Sequence, residues 1–303
     1  MTLDADQMLD RRRLKRRLML WQVAAVVAAV IAGLVGLDLG GRLAAGDHVA
    51  RIKVDGIIFA DEDRMKALDG IARNGRAKAL IVAIDSPGGT FVGGEELYRR
   101  LRQVAERIPV VAVMGNTATS AGYMAAIGAD HVVARSGTVT GSIGVILQTA
   151  DLTGLLAKLG IKPETVKSGP LKAQPNPLEP FDAASREATE GLIRDLHGLF
   201  VDMVAERRQL EREQAARLAD GRIFSGRQAK AAGLIDAVGA ATLARDWLAD
   251  QRQVPRELPL KEVTYGKEDE WWHRALEGSV GKVLFSERLT LDGVVSLWHP
   301  GGW

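Results

Sequence analysis

The sequence predicts an α/β fold: a parallel sheet covered by helices, with one long apolar helix ahead of it. Three observations carry that prediction. Ala79 to Ile84 (ALIVAI) and Pro109 to Met114 (PVVAVM) are apolar without alternation, the pattern of strands buried on both faces. Segments with helical spacing lie between such strands, in βαβα order. An uninterrupted apolar run stands near the start, directly after a cluster of cations.

That run comes first in the chain. Arg11, Arg12, Arg13, Lys15, Arg16 and Arg17 precede Leu18 to Leu37, where Gln22 is the one strongly polar residue. A helix of that length at about 1.5 Å per residue reaches roughly 30 Å, the thickness of a bilayer's hydrocarbon. Positive flanks stay inside, so the chain after Asp38 is expected outside the cytoplasm. A cleaved signal peptide would have a shorter apolar region and a small-x-small site. Leu43-Ala44-Ala45-Gly46 makes a poor one, and an uncleaved anchor is preferred. The expected organisation is a cytoplasmic basic segment at 1–17, a transmembrane anchor at 18–38, a folded domain at 46–253 and a C-terminal tail at 254–303.

Within the folded domain, Val49 to Phe59 is apolar and β-branched and reads as a strand. Asp63 to Asn74 reads as a helix. The ALIVAI strand enters a turn at Gly88 and Gly89, followed by a helix from Gly94 to Arg107. After PVVAVM, Ser120 to Gly128 reads as a helix of small residues. His131 to Ala134 and Glu164 to Lys167 are short strand candidates. Ser168 to Pro180 is too rich in Pro and Gly for a helix. Asp182 to Arg208 is a long amphipathic helix with Leu192, Leu196, Leu199, Phe200 and Met203 near helical spacing. Glu211 to Leu218 and Arg227 to Ala232 are further helices, the second ending at Gly233. The tail carries Trp271, Trp272, Trp298 and Trp303, residues suited to a membrane interface or a subunit contact.

Composition narrows the chemistry. The net charge is only +2 with 26% charged residues, so no general affinity for nucleic acid is expected. The absence of cysteine excludes disulfides, thiolate metal sites and a cysteine nucleophile. Two loops after buried strands hold unusual residues. Asp85-Ser86-Pro87-Gly88-Gly89-Thr90 places adjacent glycines before a helix, where backbone N–H groups could bind an oxyanion; an ordinary strand-to-helix turn explains it as well. Ser120, in Thr119-Ser120-Ala121-Gly122-Tyr123, suits an N-cap or a nucleophile equally, with the Ala121 N–H close by. A nucleophilic serine needs a base. None of the five histidines stands in a loop that converges on Ser120. A lysine serves instead if burial, away from carboxylates, keeps it neutral. Lys172 has no acidic neighbour in sequence until Glu179, and Lys167 competes with it.

The order Ser-Pro-Gly-Gly, Ser-Ala-Gly-Tyr, Gly-Ser-Ile-Gly-Val, Lys-Ser-Gly-x-x-Lys and Asp-Gly-Arg-Ile-Phe-Ser-Gly-Arg-Gln-Ala resembles the signal peptide peptidase A family in its short form. The resemblance covers about Val49 to Val238. The block from Ala219 to Ala229, followed by Gly233-Leu234-Ile235-Asp236, is its most distinctive part. It implies a Clp protease/crotonase-like fold, a curved parallel sheet wrapped by helices, in a membrane-anchored Ser-Lys serine endopeptidase that degrades remnant signal peptides. Ser120 matches the family's nucleophile, Lys172 its general base and Ser142 the serine that orients that lysine. Gly89 matches the oxyanion-hole amide, with Ala121 as a second candidate donor. The resemblance implies no metal or cofactor. The partners it implies are peptide substrates, the membrane and further copies of the chain, in rings where serine and lysine come from neighbouring subunits. The implied location is the bacterial inner membrane, single-pass, with the catalytic domain on the extracytoplasmic side. The chain departs from the family in Ala173-Gln174, where an acidic residue often follows the lysine, and in Ala121, where glycine is common. A membrane-protein-processing protease, an inactive scaffold of this fold and an acyl-CoA enzyme of the crotonase type are the alternatives. An exported domain argues against the last, because CoA is cytoplasmic.

Overall fold

The computed structural model describes residues 18–31, 46–265 and 295–297. The chain divides into two compact units, Met1–Asp47 and His48–Trp303. In the first, residues 18–31 form a helix, α1, which at 1.5 Å per residue is about 20 Å long. No described helix is long and apolar enough to cross a membrane. The expected span continues through 32–38, outside the described residues, as do the basic segment, His273, His299 and the four tail tryptophans.

The second unit is an α/β structure. Its first half runs β1 (His48–Ile58), α2 (Glu62–Arg73), β2 (Ala77–Thr90), α3 (Phe91–Ala105), β3 (Val110–Thr119) and α4 (Ala121–Ala126). These follow the sequence expectation because burial dictates them. Leu80, Val82 and Ile84 of β2 enter one apolar core with Leu68 of α2, Leu97 of α3 and Met124 of α4. Ala79 and Ile81, on the opposite face, enter a second core with Val49, Val111 and Val133. A strand covered on both faces has no polar side, hence the missing alternation.

The second half runs β4 (His131–Ala134), β5 (Val139–Gly141), α5 (Thr153–Lys158), α6 (Ala183–Arg208), α7 (Arg212–Leu218), β6 (Ile223–Ser225), α8 (Gly226–Ala231), β7 (Ala237–Val238), α9 (Thr242–Arg252), β8 (Leu260–Val263) and β9 (Val295–Leu297). Among the described residues the sheet has nine strands: six in the order β6-β5-β3-β2-β1-β8, with β4 on β3, β7 on β4 and β9 on β2. Pairing is parallel except for β5 with β6 and β2 with β9. The sheet is therefore mixed rather than wholly parallel.

Three local expectations change. The Gly88-Gly89 pair is not a turn: β2 continues to Thr90, and both glycines pair with Ile57 and Ile58 of β1. Residues 164–167 form no strand. The apolar stripe of α6 holds only toward its C-terminal half, where Phe200, Val201, Met203 and Val204 are buried while Leu192 and Leu199 stay exposed.

Candidate active site

β3 positions the central residue. It begins beside β4, with Val111 to Val113 paired to His131 to Val133, and ends beside β5, with Thr117 to Thr119 paired to Val139 to Gly141. Ser120 follows at once, at the N-terminus of α4, with φ 56° and ψ −119° and no side-chain capping bond. An L-residue held there costs about 1–3 kcal/mol, so the surroundings must enforce it. They do so with two bonds: Ser120 N–H donates to Gly141 C=O at 2.8 Å, and Met124 N–H donates to Ser120 C=O at 2.8 Å. The sharp turn from a strand into a helix resembles the nucleophile elbow of α/β-hydrolases. Ser120 is therefore no ordinary N-cap.

The Gly141 bond also brings Ser142 to the site. Ser142 has φ 48°, is largely buried, and donates its N–H to Arg222 C=O at 2.8 Å. Behind it β6 pairs with β5, and Phe224 lies where a Cβ on Gly141 would come within 2.5 Å. The distinctive Asp220-to-Ser225 block thus backs the Gly141–Ser142 corner. Ser142→Ala is expected to lower kcat partially, by about 3- to 30-fold, as a lost orienting hydroxyl would. Wild-type steady-state kinetics for that variant would remove Ser142 from the site.

β2 flanks the other side. Ser86 pairs with Ala118, and Gly88 to Thr90 continue past the end of that pairing. A Cβ on Gly89 would sit 1.9 Å from Ile58 O, so only glycine allows the two strands to meet here. Asp85 ties the two loops together: its Oδ1 accepts from Thr117 N–H at 3.0 Å and its Oδ2 from Asn116 Nδ2 at 2.9 Å. Gly122 packs closely on the same strand: a Cβ there would be 3.1 Å from Ser86 O, a tight contact. Ala121 fits, although its Cβ fills the space that a side chain on Gly94 would take. Gly88 to Thr90 also pair antiparallel with β9, so this edge accepts an extended segment.

The lysines separate clearly. Lys167 is largely buried and forms an ion pair with Glu179, which also accepts from Gln174 Nε2. Lys167 beside Glu179 holds that carboxyl below the usual carboxylate range. That ion pair commits the Lys167 side chain to Glu179 rather than to Ser120. Lys172 is exposed, in the segment before α6, and its side chain makes no hydrogen bond or ion pair among the described residues. Within one chain, Ser120 is bonded to the Gly141 that precedes Ser142, and Thr119 beside it is bonded to Pro87, two residues before Gly89; no bond joins Lys172 to any of them among the described residues.

The three described histidines have other partners or places. His131 starts β4 opposite Val111, and nine strand residues at about 3.3 Å each put Ser120 roughly 30 Å away. Its ring stacks on Trp247 at 4.8 Å, and burial holds its pKa below the ordinary value. His197 Nε2 lies 2.7 Å from Ala219 O, and His48 is buried at the start of β1. Among the described residues no cluster of His, Asp or Glu could hold a metal ion. Sequence reasoning missed Ser86, Thr119 and Asp85. The signal was present in Asp85-Ser86-Pro87, but polar residues bonding backbone look like any loop.

The sequence profile of Peptidase family S49 matches residues 102–255, which include Ser120, Ser142 and Lys172. A candidate protease of Synechocystis sp. is 42% identical over 207 residues, covering 66% of this chain and 73% of the relative. A candidate signal peptide peptidase of Enterococcus faecium is 27% identical over 276 residues, covering 86% of this chain and 79% of the relative. Among solved structures, a mutant of the 1510-N membrane-bound stomatin-specific protease in complex with a substrate peptide aligns at TM-score 0.48 and 16% identity, over 77% of this chain and 99% of that one. The chain thus belongs to peptidase family S49 and is a serine endopeptidase.

Proposed function

We propose that this endopeptidase uses a Ser120–Lys172 dyad to cleave apolar peptides, remnant signal peptides among them, at the outer face of a bacterial inner membrane. The observation that supports the reading is Ser120, strained at the head of α4, bonded to the Gly141 that precedes Ser142 and adjoining Thr119, which bonds Pro87 of the Gly88-Gly89 strand. Neutral Lys172 takes the Ser120 hydroxyl proton as Oγ attacks the scissile carbonyl. The Gly89 N–H, with that of Ala121, bonds the oxyanion. Collapse breaks the C–N bond, and the Lys172 ammonium returns the proton to the leaving amine. A water deprotonated by Lys172 then attacks the acyl-Ser120 ester and frees the carboxylic acid. Substrate enters as an extended strand on Gly88 to Thr90, the edge that β9 occupies.

A neutral lysine needs burial, which a single chain does not give Lys172. The segment around it exposes Leu152, Leu155, Leu159, Ile161, Val166, Leu171 and Leu178, and α5 buries none of its residues. So much exposed apolar surface supports cover by a second copy, whose Ser120 would then meet this Lys172. Lys172→Ala is expected to abolish peptide hydrolysis, whereas Lys167→Ala leaves the mechanism intact. A mixture of Ser120→Ala and Lys172→Ala chains, co-expressed, should regain activity, since one neighbour supplies each group. Loss in Lys167→Ala with activity kept in Lys172→Ala overturns the base assignment. A folded mixed assembly with no activity refutes the shared site.

The membrane setting rests on the cation cluster and the apolar run from Leu18. A reporter active only outside the cytoplasm, fused after Trp303, should be active. Signal from a cytoplasm-only reporter at the same position would reverse the orientation.

A further inference from the structure

Gly88 and Gly89 are adjacent, and Gly88 has φ 121°, a conformation that side chains rarely adopt. Two such residues in series can swing the peptide plane between them, and with it the Gly89 N–H. Ser86 opposes that motion. It is fully buried; its Oγ accepts from Gly88 N–H at 3.1 Å and donates to Gly88 C=O at 3.2 Å. One hydroxyl therefore holds both peptide planes that flank Gly88. In a planar trans peptide the C=O and N–H point in opposite directions. Turning Gly88 C=O toward Ser86 aims the Gly89 N–H away from it. Thr119, the residue before Ser120, is also fully buried and donates Oγ1 to Pro87 C=O at 3.0 Å. The Pro87–Gly88 plane is thus held from both ends, one of them a residue adjoining Ser120.

We propose that Ser86 is a positioning residue for the reaction: its hydroxyl, backed by Thr119, sets the direction of the Gly89 N–H at the oxyanion. The proposal rests on the reading of Ser120 as nucleophile and Gly89 as oxyanion donor. A misdirected donor weakens the transition state and leaves ground-state binding nearly unchanged. The hydroxyl stays neutral throughout, so the pH profile of the base is not altered by its loss.

The test uses the full chain, a fluorogenic peptidyl-coumarin with leucine before the scissile bond, and the matching peptide aldehyde, whose serine adduct carries the oxyanion. Ser86→Ala and Thr119→Val are each expected to lower kcat by about 10- to 100-fold, somewhat less than outright removal of a donor. KM should stay within about two-fold, the mark of an interaction made only in the transition state. Aldehyde affinity should fall with kcat, the pH profile should hold its shape, and Thr119→Ser should recover most of the rate. Wild-type kcat in both variants overturns the proposal, and so does a loss of rate with aldehyde affinity unchanged. Should Ser86→Ala fail to fold, the near-isosteric Thr119→Val and its serine counterpart decide the matter. Full activity in Ser120→Ala defeats the underlying reading instead, and the proposal with it.

Discussion

Ser120→Ala is expected to lower kcat by at least about 10⁴-fold with the fold intact, as loss of the nucleophile does in other serine hydrolases. Alanine keeps the Cβ, so it inherits the strain at φ 56° and disturbs neither the Gly141 nor the Met124 backbone bond. Glycine behaves differently. It adopts that conformation freely, which relieves about 1–3 kcal/mol of strain, offset by roughly 0.5–1 kcal/mol from its more flexible unfolded chain. Ser120→Gly is therefore expected to be as inactive as Ser120→Ala and at least as stable by thermal melting. A fluorophosphonate probe should label the wild type at Ser120 and neither variant. Peptidase activity in purified Ser120→Ala would end the assignment. A Ser120→Gly chain clearly less stable than Ser120→Ala would deny that the turn is strained.

Gly89→Ala is expected to remove both activity and a large part of the stability. The new Cβ would lie 1.9 Å from Ile58 O, 2.5 Å from Ile58 C and 2.6 Å from Ile58 N. All three are backbone atoms of a paired strand, so no side chain can rotate out of the way. β1 and β2 must part at this point, at a cost above about 3 kcal/mol, beyond ordinary overpacking. The same movement displaces the proposed oxyanion amide. Gly75→Ala is the control, because nothing lies within 4 Å of its added Cβ. Denaturant titration should show a lower midpoint for Gly89→Ala and a change within about 0.5 kcal/mol for Gly75→Ala. A Gly89→Ala chain with wild-type stability would mean that the strands do not meet as described.

By itself the sequence determined the elements that hydrophobic burial dictates. The apolar runs in β2 and β3 need cover on both faces, the alternation in β1 needs it on one, and α2, α3 and the C-terminal half of α6 carry apolar faces that pack into the core. Those signals are local, so they can be read without coordinates. The motifs around Ser120, Ser142 and Lys172, the residues proposed for the reaction, were legible for a related reason: such chemistry needs particular residue types. Tertiary structure alone decided the rest. β5, β6, β7, β8 and β9 have two to four residues each and exist because a neighbouring strand offers partners. The continuation of β2 through Gly88 and Gly89 depends on Ile57 and Ile58, 31 residues earlier in the chain (88 − 57 and 89 − 58). The pairing of Lys167 with Glu179 also needed the tertiary structure, because 12 positions of sequence separate the two. The roles of Ser86 and Thr119 were hidden because a hydroxyl bonded to backbone has no signature of its own. Spacing along the chain sets what a residue can reach within its own element, while pairing between elements sets what it does reach.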